Sequence, residues 1–586
     1  MYGYGLIGNC QVSSLVHESG SIDWLCLPRP DSPPVFGKIL DPEGGAFSIV
    51  PLGKYTSSQS YIPNTNVLVT TVTTEDGSYK ITDFCPRFEQ YGRMYRPNAL
   101  FRILEPLSGH PKVRISCKPV NGWSKKPVKP VRGNSHLRYD IGDDSLRLVT
   151  SMPLTHLADE SNYAVGETVY FGLSWSFGIE EDLVRVSQDF LSRTIEYWHT
   201  WVKHCSIPAL FQSETIRSAL ALKLHVYEDT GAILAALTTS LPEEHGNTRN
   251  WDYRFCWLRD AYYVLTAFHN LGHFEEMEGF LKFLLGIGQG TENLRPVYRI
   301  DQSAPLPETE HTNWNGFGKS QPVRSNNDAA NHVQNDVYGE MILSLTPIFF
   351  DERFSHLRHR NHESLLADLA RRCTASIGKP DAGLWEIRNG WQQHTFTDLM
   401  SWAGLDRLRR LQQKGFLKDL ELDLQDMTLR AQAAIEAAVV DGSVRNGPKD
   451  PTFDAALLQL PMVRYPDEEL SARTVNAIHA ELAVSENPDL RSFLYRYKRS
   501  DDFGNPQSAF LVCSFWYIQA LAKIGRVPEA RKALEGTLSA ANRLGLFSEH
   551  FDPFTKQQLG NFPQAYSHVG LINAAFSVSP SWDQVL

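Results

Sequence analysis

The chain has 586 residues, of which 42% are hydrophobic and 21% charged, with a formal net charge of −10. That length exceeds what a single core organises, so two large domains, or three, are expected. The acidic balance argues against a nucleic-acid partner, no apolar run is long enough to span a bilayer, and the opening MYGYGLIGNCQ has neither the basic nor the apolar stretch of a secretion signal. The eight cysteines stand singly at 10, 26, 85, 117, 205, 256, 373 and 513, with no zinc spacing and no disulfide framework. The expectation is a reduced, cytoplasmic enzyme, with no membrane partner and no metal. Its oligomeric state stays open.

Residues 1 to about 180 read as strands. Val67, Val69 and Val72 lead into the turn signal Glu75-Asp76-Gly77-Ser78, and the stretch from Ile81 to Phe84 returns as the second arm of a hairpin. Val113 to Cys117 and Leu146 to Val149 alternate in the same way, and Val169 to Trp175 is a further strand. Helical spacing is nearly absent, which predicts an antiparallel β-sandwich over 1–180. Lys125 to Val131, rich in Pro and Lys, reads as an exposed loop within it.

After Gly178 the period changes. Val184, Leu191, Ile195, Trp198 and Val202 fall on one face and predict a linker helix within 181–207. From there the pattern stays helical, beginning with the stripe Ile216, Leu220, Leu224 and Tyr227 behind Ser213 as the expected N-cap. Further helices are predicted over 232–238, 261–271, 275–285, 335–345, 363–376, 396–413, 423–439, 467–482, 508–523, 528–541 and 564–576. Roughly twelve helices joined by loops rich in Gly, Pro, Asn and Trp suit an (α/α)6 toroid over 208–586. The fold class is therefore multidomain β + α.

Several motifs fail their context. Gly3-Tyr4-Gly5-Leu6-Ile7-Gly8 matches a dinucleotide fingerprint, but no strand precedes it and no βαβ unit follows. Gly318-Lys319-Ser320 ends like a phosphate loop but has Asn313 where a glycine is needed. His269 and His273 are four apart, yet Gly272 ends the helix between them. No Gly-x-Ser-x-Gly elbow is present.

What remains is carboxylates, arginines and aromatics on loops. Glu386 follows Trp385 in Gly383-Leu384-Trp385-Glu386-Ile387-Arg388. The plain reading of such a pair is a solvated acid on a half-buried face. Arg249-Asn250-Trp251-Asp252-Tyr253-Arg254 runs into Trp257-Leu258-Arg259-Asp260 just before a helix. An Arg-Asp pair beside Trp suits a sugar, with charged groups on vicinal hydroxyls and an aromatic over the ring; it equally suits a helix cap with its counter-ion. Gly545-Leu546-Phe547-Ser548-Glu549-His550 supplies a second loop carboxylate, and Arg496-Tyr497 and Tyr566-Ser567-His568 add polar-aromatic clusters.

Taken together these stretches resemble glycoside hydrolase family fifteen, the glucoamylase and bacterial-type trehalase family, along almost the whole chain. The carriers are Gly20-Ser21-Ile22-Asp23-Trp24-Leu25-Cys26-Leu27-Pro28 with Asp31-Ser32-Pro33, then 249–261, then Gly383-Leu384-Trp385-Glu386, then Gly560-Asn561-Phe562-Pro563-Gln564-Ala565-Tyr566-Ser567-His568. The resemblance implies that Glu386 is a general acid and Glu549 a general base, the pair giving inversion across about 6.5–9.5 Å. It further implies that Arg259, Asp260 and Arg496 clamp hydroxyls, and that Trp257, Trp385 and Tyr566 contribute to the sugar site. Trp385 is expected to desolvate Glu386, while Glu549 must stay ionised. No cofactor is implied.

The chain departs from the family where the leaving group would sit. Gln507-Ser508-Ala509-Phe510 stands in place of Glu-Gly-Ala-Phe, the base motif reads Ser-Glu-His, and the loop from Asn313 to Asn326 carries an additional Trp314. The expected activity is an inverting, exo-acting α-glucosidase of glucoamylase type on α-glucans or malto- and isomalto-oligosaccharides. Trehalase is the alternative within the class and a glycoside phosphorylase the alternative outside it.

Overall fold

The computed structural model describes residues 1–290, 294–418 and 421–585. Two antiparallel sheets form the N-terminal part. One runs in the spatial order Tyr4–Gly8, Ser13–His17, Ser21–Cys26, Ala46–Pro51, Lys112–Lys118 and Asn162–Ala164, with Pro34–Phe36 paired onto its third strand. The other has Val169–Trp175 and Ala99–Gly109 at its centre, flanked by Asp144–Thr150 on one side and Gly77–Phe84 on the other. The predicted hairpin is there: Leu68–Thr74 pairs with Gly77–Phe84, and Thr74 faces Gly77. Val72, Tyr79, Ile81 and Leu104 from one sheet and Leu15, Val16 and Ile49 from the other are buried in one core. Within it Arg102 bonds Asp83 on its own sheet and the carbonyls of Phe47 and Gly20 on the opposite one, at 2.7–2.8 Å. The buried guanidinium has a partner on every side, as a charge away from water requires.

Helix α1 (Leu154–Ala158) is a short turn within the sandwich, and α2 (Leu183–Lys203) is the linker, capped by the Asp182 side chain. The helical part follows: α3 (Gln212–His225), α4 (Leu258–Leu271), α5 (Phe274–Gly290), α6 (Asp336–Leu345), α7 (Pro347–Phe350), α8 (Arg360–Ser376), α9 (Thr395–Gln413) and α10 (Leu424–Glu436). It ends with α11 (Gln459–Met462), entered through a 3-10 turn at Ala455–Leu458, then α12 (Glu468–Leu482), α13 (Leu511–Lys523), α14 (Val527–Thr537) and α15 (Ala565–Val578). Helix α4 packs on α6, α6 on α9, α9 on the turn before α11, α11 on α13, α13 on α15, and α15 back on α4. That is a closed inner ring of six, with α3, α5, α8, α10, α12 and α14 outside it. Burial follows from composition: all residues of α13 from Leu511 to Leu521 are buried, whereas α14 buries only Ala530, Leu534 and Thr537.

Two local expectations are corrected. No helix spans 232–238: Ala232–Ile233 pairs with Val226–Tyr227 and the run continues extended. A short apolar run bounded by Gly231 carries no period that distinguishes strand from helix. The twelfth ring member is the segment from Ala455 to Met462, too short and too close to Pro461 to show a period. Ser213 is not an N-cap either. The cap position is Phe211, whose carbonyl accepts from the Thr215 amide, while the Ser213 hydroxyl donates to Glu214.

The two parts share a polar seam. Arg254 is fully buried, pairs with Asp252 at 2.7 Å, and donates to the Ser32 carbonyl of the sandwich at 2.6 Å. The Trp24 indole donates to the Leu237 carbonyl at 2.7 Å. Thus the motifs Asp31-Ser32-Pro33 and 249–261, far apart in the chain, are opposite sides of one joint. Trp314 is buried in the same joint, donating to the Trp123 carbonyl at 2.9 Å, so the divergent loop docks on the sandwich. Among the described residues no helix is long and apolar enough to cross a membrane.

Candidate active site

Each inner helix is entered by a loop, and the six entry loops meet at one end of the ring. They carry Arg249 to Trp257 before α4, Asn327 to Asn335 before α6, Gly383 to Glu386 before α9, Asp454 before α11, Arg496 to Phe503 before α13, and Glu549 to Asn561 before α15. Helix N-termini face this end, and loops on a rigid ring are where chemistry is usually placed. A narrow cleft opens there. Its lining includes Glu386 on one side and Glu243, Arg249 and Arg496 on the other.

Glu386 is held by its backbone and by two donors. The Glu386 amide bonds the Gly383 carbonyl at 3.1 Å, closing a tight turn in which Gly383 has φ 65° and Glu386 φ 61°. A left-handed glutamate is a sparsely populated conformation that persists where surroundings over-determine it. Its Oε1 accepts from Trp257 Nε1 at 2.5 Å and Arg259 Nη1 at 3.0 Å. Arg259 also grips the Leu384 carbonyl at 2.7 Å and Asp260 at 3.2 Å. Burial pushes the Asp260 carboxyl up to about 6 against the pull of Arg259. Trp385 is pinned by its indole N–H on Asp454, 2.9 Å from Oδ1.

The opposite wall is a second carboxylate cluster. Glu549 is buried behind the cleft, its Oε2 accepting from the Asn561 amide at 3.4 Å. Glu243, His550 and Glu549 each place a side-chain N or O within 4.8 Å of the others. Glu243 has two arginines near it, Arg496 Nη2 at 3.3 Å and Arg249 Nη1 at 4.0 Å, so the negative charge here is met by guanidinium groups. Asp501 accepts from Arg249 and from the Tyr497 hydroxyl. His550 lies flat on Phe510, ring centroids 4.4 Å apart, and its Nδ1 meets the Ser508 hydroxyl at 3.1 Å. Burial, reinforced by Arg496 and Arg249, holds that imidazole neutral, far below the usual range. Burial and the neighbouring Glu243 push the Glu549 carboxyl well above the ordinary range, with Arg496 and the Asn561 amide opposing.

The structure thus gathers Glu386, Trp257, Arg259 and Asp260 into one contact group and sets Arg496 beside the cluster that contains Glu549. Trp257 and Tyr566 lie one layer back. Trp257 supports Glu386 edge-on, and Tyr566 packs on Tyr263 and Trp516 with ring centroids 5.4 and 5.7 Å away. Sequence reasoning did not single out Glu243, Tyr253, Arg388 or Asp501 as site residues. Tyr253 is half-buried and lines the cleft, within the electrostatic reach of Glu549, Glu386 and Glu243 together. Its place inside the 249–261 motif was the one available signal. Gln507 points to solvent and donates to the Asn505 carbonyl, whereas Ser508 reaches the Glu243 carbonyl. The loop of Gln507 and Ser508 therefore meets the backbone of Glu243, a carboxylate that comes from a different loop.

Comparison with known proteins agrees with this architecture. Residues 211–576 match the family described as Glycosyl hydrolases family 15, and residues 3–158 match the domain described as Trehalase-like, N-terminal. A protein named Trehalase from Mycolicibacterium smegmatis is 31% identical, the alignment covering 98% of this chain and 90% of that protein. Another of that name from Thermoplasma volcanium is 32% identical, covering 98% and 92%. A bacterial glucoamylase solved in complex with acarbose superposes with a TM-score of 0.67 at 15% identity, covering 98% of this chain and 94% of its own. The β-sheet domain, the helical ring and the motifs gathered at its mouth belong together: the chain is a glycosidase of glycosyl hydrolase family 15.

Proposed function

We propose that the protein hydrolyses α,α-trehalose with inversion, Glu386 acting as general acid and Glu549 as general base. What carries this reading is similarity along both domains, over 98% of the chain, to proteins named trehalases. The chemistry then follows from the donors. Oε1 of Glu386 faces two N–H groups that cannot accept, so the acidic proton belongs on Oε2. From there it passes to the glycosidic oxygen as the C1–O bond breaks. Water attacks C1 from the opposite face and gives its proton to Glu549, and solvent exchange restores both carboxyls. Arg259, Asp260 and Arg496 hold hydroxyls of the glucose whose C1–O bond breaks, and Trp385 walls the ring.

A glucoamylase-type exo-α-glucosidase is the second reading, favoured by the fold shared with the bacterial glucoamylase. A phosphorylase fits less well, because Glu243 and Glu549 put negative charge where phosphate would have to sit. The deciding experiment follows fresh reactions by proton NMR on trehalose, maltose and isomaltose. Inverting cleavage of trehalose releases α- and β-glucose in equal initial amounts, and α-glucose alone would rule inversion out. Faster turnover of maltose than of trehalose would move the assignment to the second reading. Glu386→Gln and Glu549→Gln are each expected to cut kcat by about 10²–10⁴-fold; a fully active Glu549→Gln enzyme refutes the base.

A further inference from the structure

The geometry points to Glu243 as a positioning residue that keeps Glu549 basic by drawing Arg496 and Arg249 onto itself. This inference rests on Glu549 being the base. Glu243 is fixed by its own backbone: its amide bonds the Arg249 carbonyl at 3.2 Å, its carbonyl accepts from Ser508 at 3.2 Å, and the preceding Pro242 carbonyl accepts from the Gly560 amide at 2.7 Å. Gly560 is the residue packed against Glu549, where a Cβ would lie 2.6 Å from Oε2. The loop that carries Glu243 is therefore pinned to the segments on both sides of the base. Of the two carboxylates, Glu243 lines the cleft and Glu549 lies behind it.

The charges around the base divide in a definite way. Arg496 Nη2 is 3.3 Å from Glu243 and 3.7 Å from Asp501, and Arg249 bonds Asp501 while standing 4.0 Å from Glu243. Both guanidiniums therefore have carboxylates nearer than Glu549, with which no direct ion pair to arginine is made among the described residues. His550, at 3.5 Å from Glu243 and 3.9 Å from Glu549, is neutral and adds no compensating charge. The remaining groups facing Glu549 are hydroxyls and an amide: Tyr253, Tyr2 and the Asn561 N–H. With Glu243 neutral, the arginines would serve Glu549 instead and weaken it as a proton acceptor. A carboxylate close to another carboxylate binds its proton more tightly, and the pair titrates in two steps.

The test is the acid limb of kcat/KM against pH, where activity is lost as the base is protonated. Glu243→Gln is expected to move that limb about one unit to lower pH and to lower plateau kcat about tenfold, since a weaker base accepts the proton less readily. Glu243→Asp keeps the charge and is expected to keep the wild-type limb. A merely structural role would lower activity without moving the limb. An unmoved limb in folded Glu243→Gln enzyme, with Glu549→Gln still inactive, overturns this inference alone; activity in Glu549→Gln overturns the base instead. Should Glu243→Gln fail to fold, wild-type protein carrying 13C-carboxyl glutamate gives the same answer. The resonance missing from Glu549→Gln must titrate above the ordinary glutamate range in two steps, and a single ordinary step refutes the coupling.

Discussion

Trp257 shows how a side chain outside the cleft lining can serve it. Its indole is fully buried, and its one polar atom is spent on Oε1 of Glu386 at 2.5 Å. Trp257→Phe removes that donor, leaving Arg259 alone to orient the proposed acid, and puts a smaller ring in a buried site. A hydrogen bond to a charged group contributes about 1.5–3 kcal/mol, so kcat should fall roughly 10- to 100-fold, while the cavity lowers the melting midpoint as well. Steady-state kinetics beside calorimetry checks both halves. At this scale the sequence disclosed chemical type better than depth. Glu386, Glu549, Arg259 and Arg496 stand in stretches of recognisable order, but nothing in that order tells that Trp257 and Tyr566 are buried outside the cleft lining. Glu243 was illegible: Pro242-Glu243-Glu244 looks like a solvated loop, and its partners Arg496 and His550 come from the far end of the chain. The expectation of an ionised Glu549 also meets a site whose burial favours the protonated form, which is why the counter-charges around it decide its behaviour.

Among the elements, the turn that carries Glu386 is the most exacting. Gly383 combines φ 65° with a close approach to His394, where a Cβ would lie 2.6 Å from the ring. Gly383→Ala is expected to cost at least about 1–3 kcal/mol of stability and more than tenfold in kcat, because the turn must open and Glu386 moves with it. Gly390 is its control, having φ 69° but nothing within 4 Å of an added Cβ. Gly390→Ala should cost only the backbone penalty of about 1–2 kcal/mol and leave kcat alone. Urea unfolding with steady-state rates separates the two. Strands such as Leu68–Thr74 and Lys112–Lys118 were readable because one face is buried and the pattern alternates. The outer helices were readable for the analogous reason. The segment from Ala455 to Met462 was not, since a ring member buried on all sides for two turns has no polar face to set a period.

For the whole molecule, the seam between sandwich and ring sets the response to acid. Glu228 accepts from Arg87 of the sandwich at 2.6 Å and from Lys223 of α3, and Lys223 also meets Glu276 at 2.8 Å. Burial alone would raise Glu228, but Lys223 and Arg87 outweigh it and hold the carboxyl at about 2. A carboxyl depressed in the folded state contributes stability that is complete above its unfolded value near 4.5 and is lost as pH falls toward 2. Wild type should therefore exceed Glu228→Gln in urea midpoint at neutral pH, and the gap should close between about pH 4.5 and 2; a gap independent of pH would refute the linkage. The same seam joins the ends of the chain. The Tyr2 hydroxyl donates to the Gly560 carbonyl at 3.1 Å, across a separation of 558 residues, and Gly560 is the residue pressed against Glu549. During synthesis, then, Tyr2 stays unmatched through 558 further residues before that contact can form. The proposed base enters late, so a chain cut between Glu386 and Glu549 carries the proposed acid without its partner.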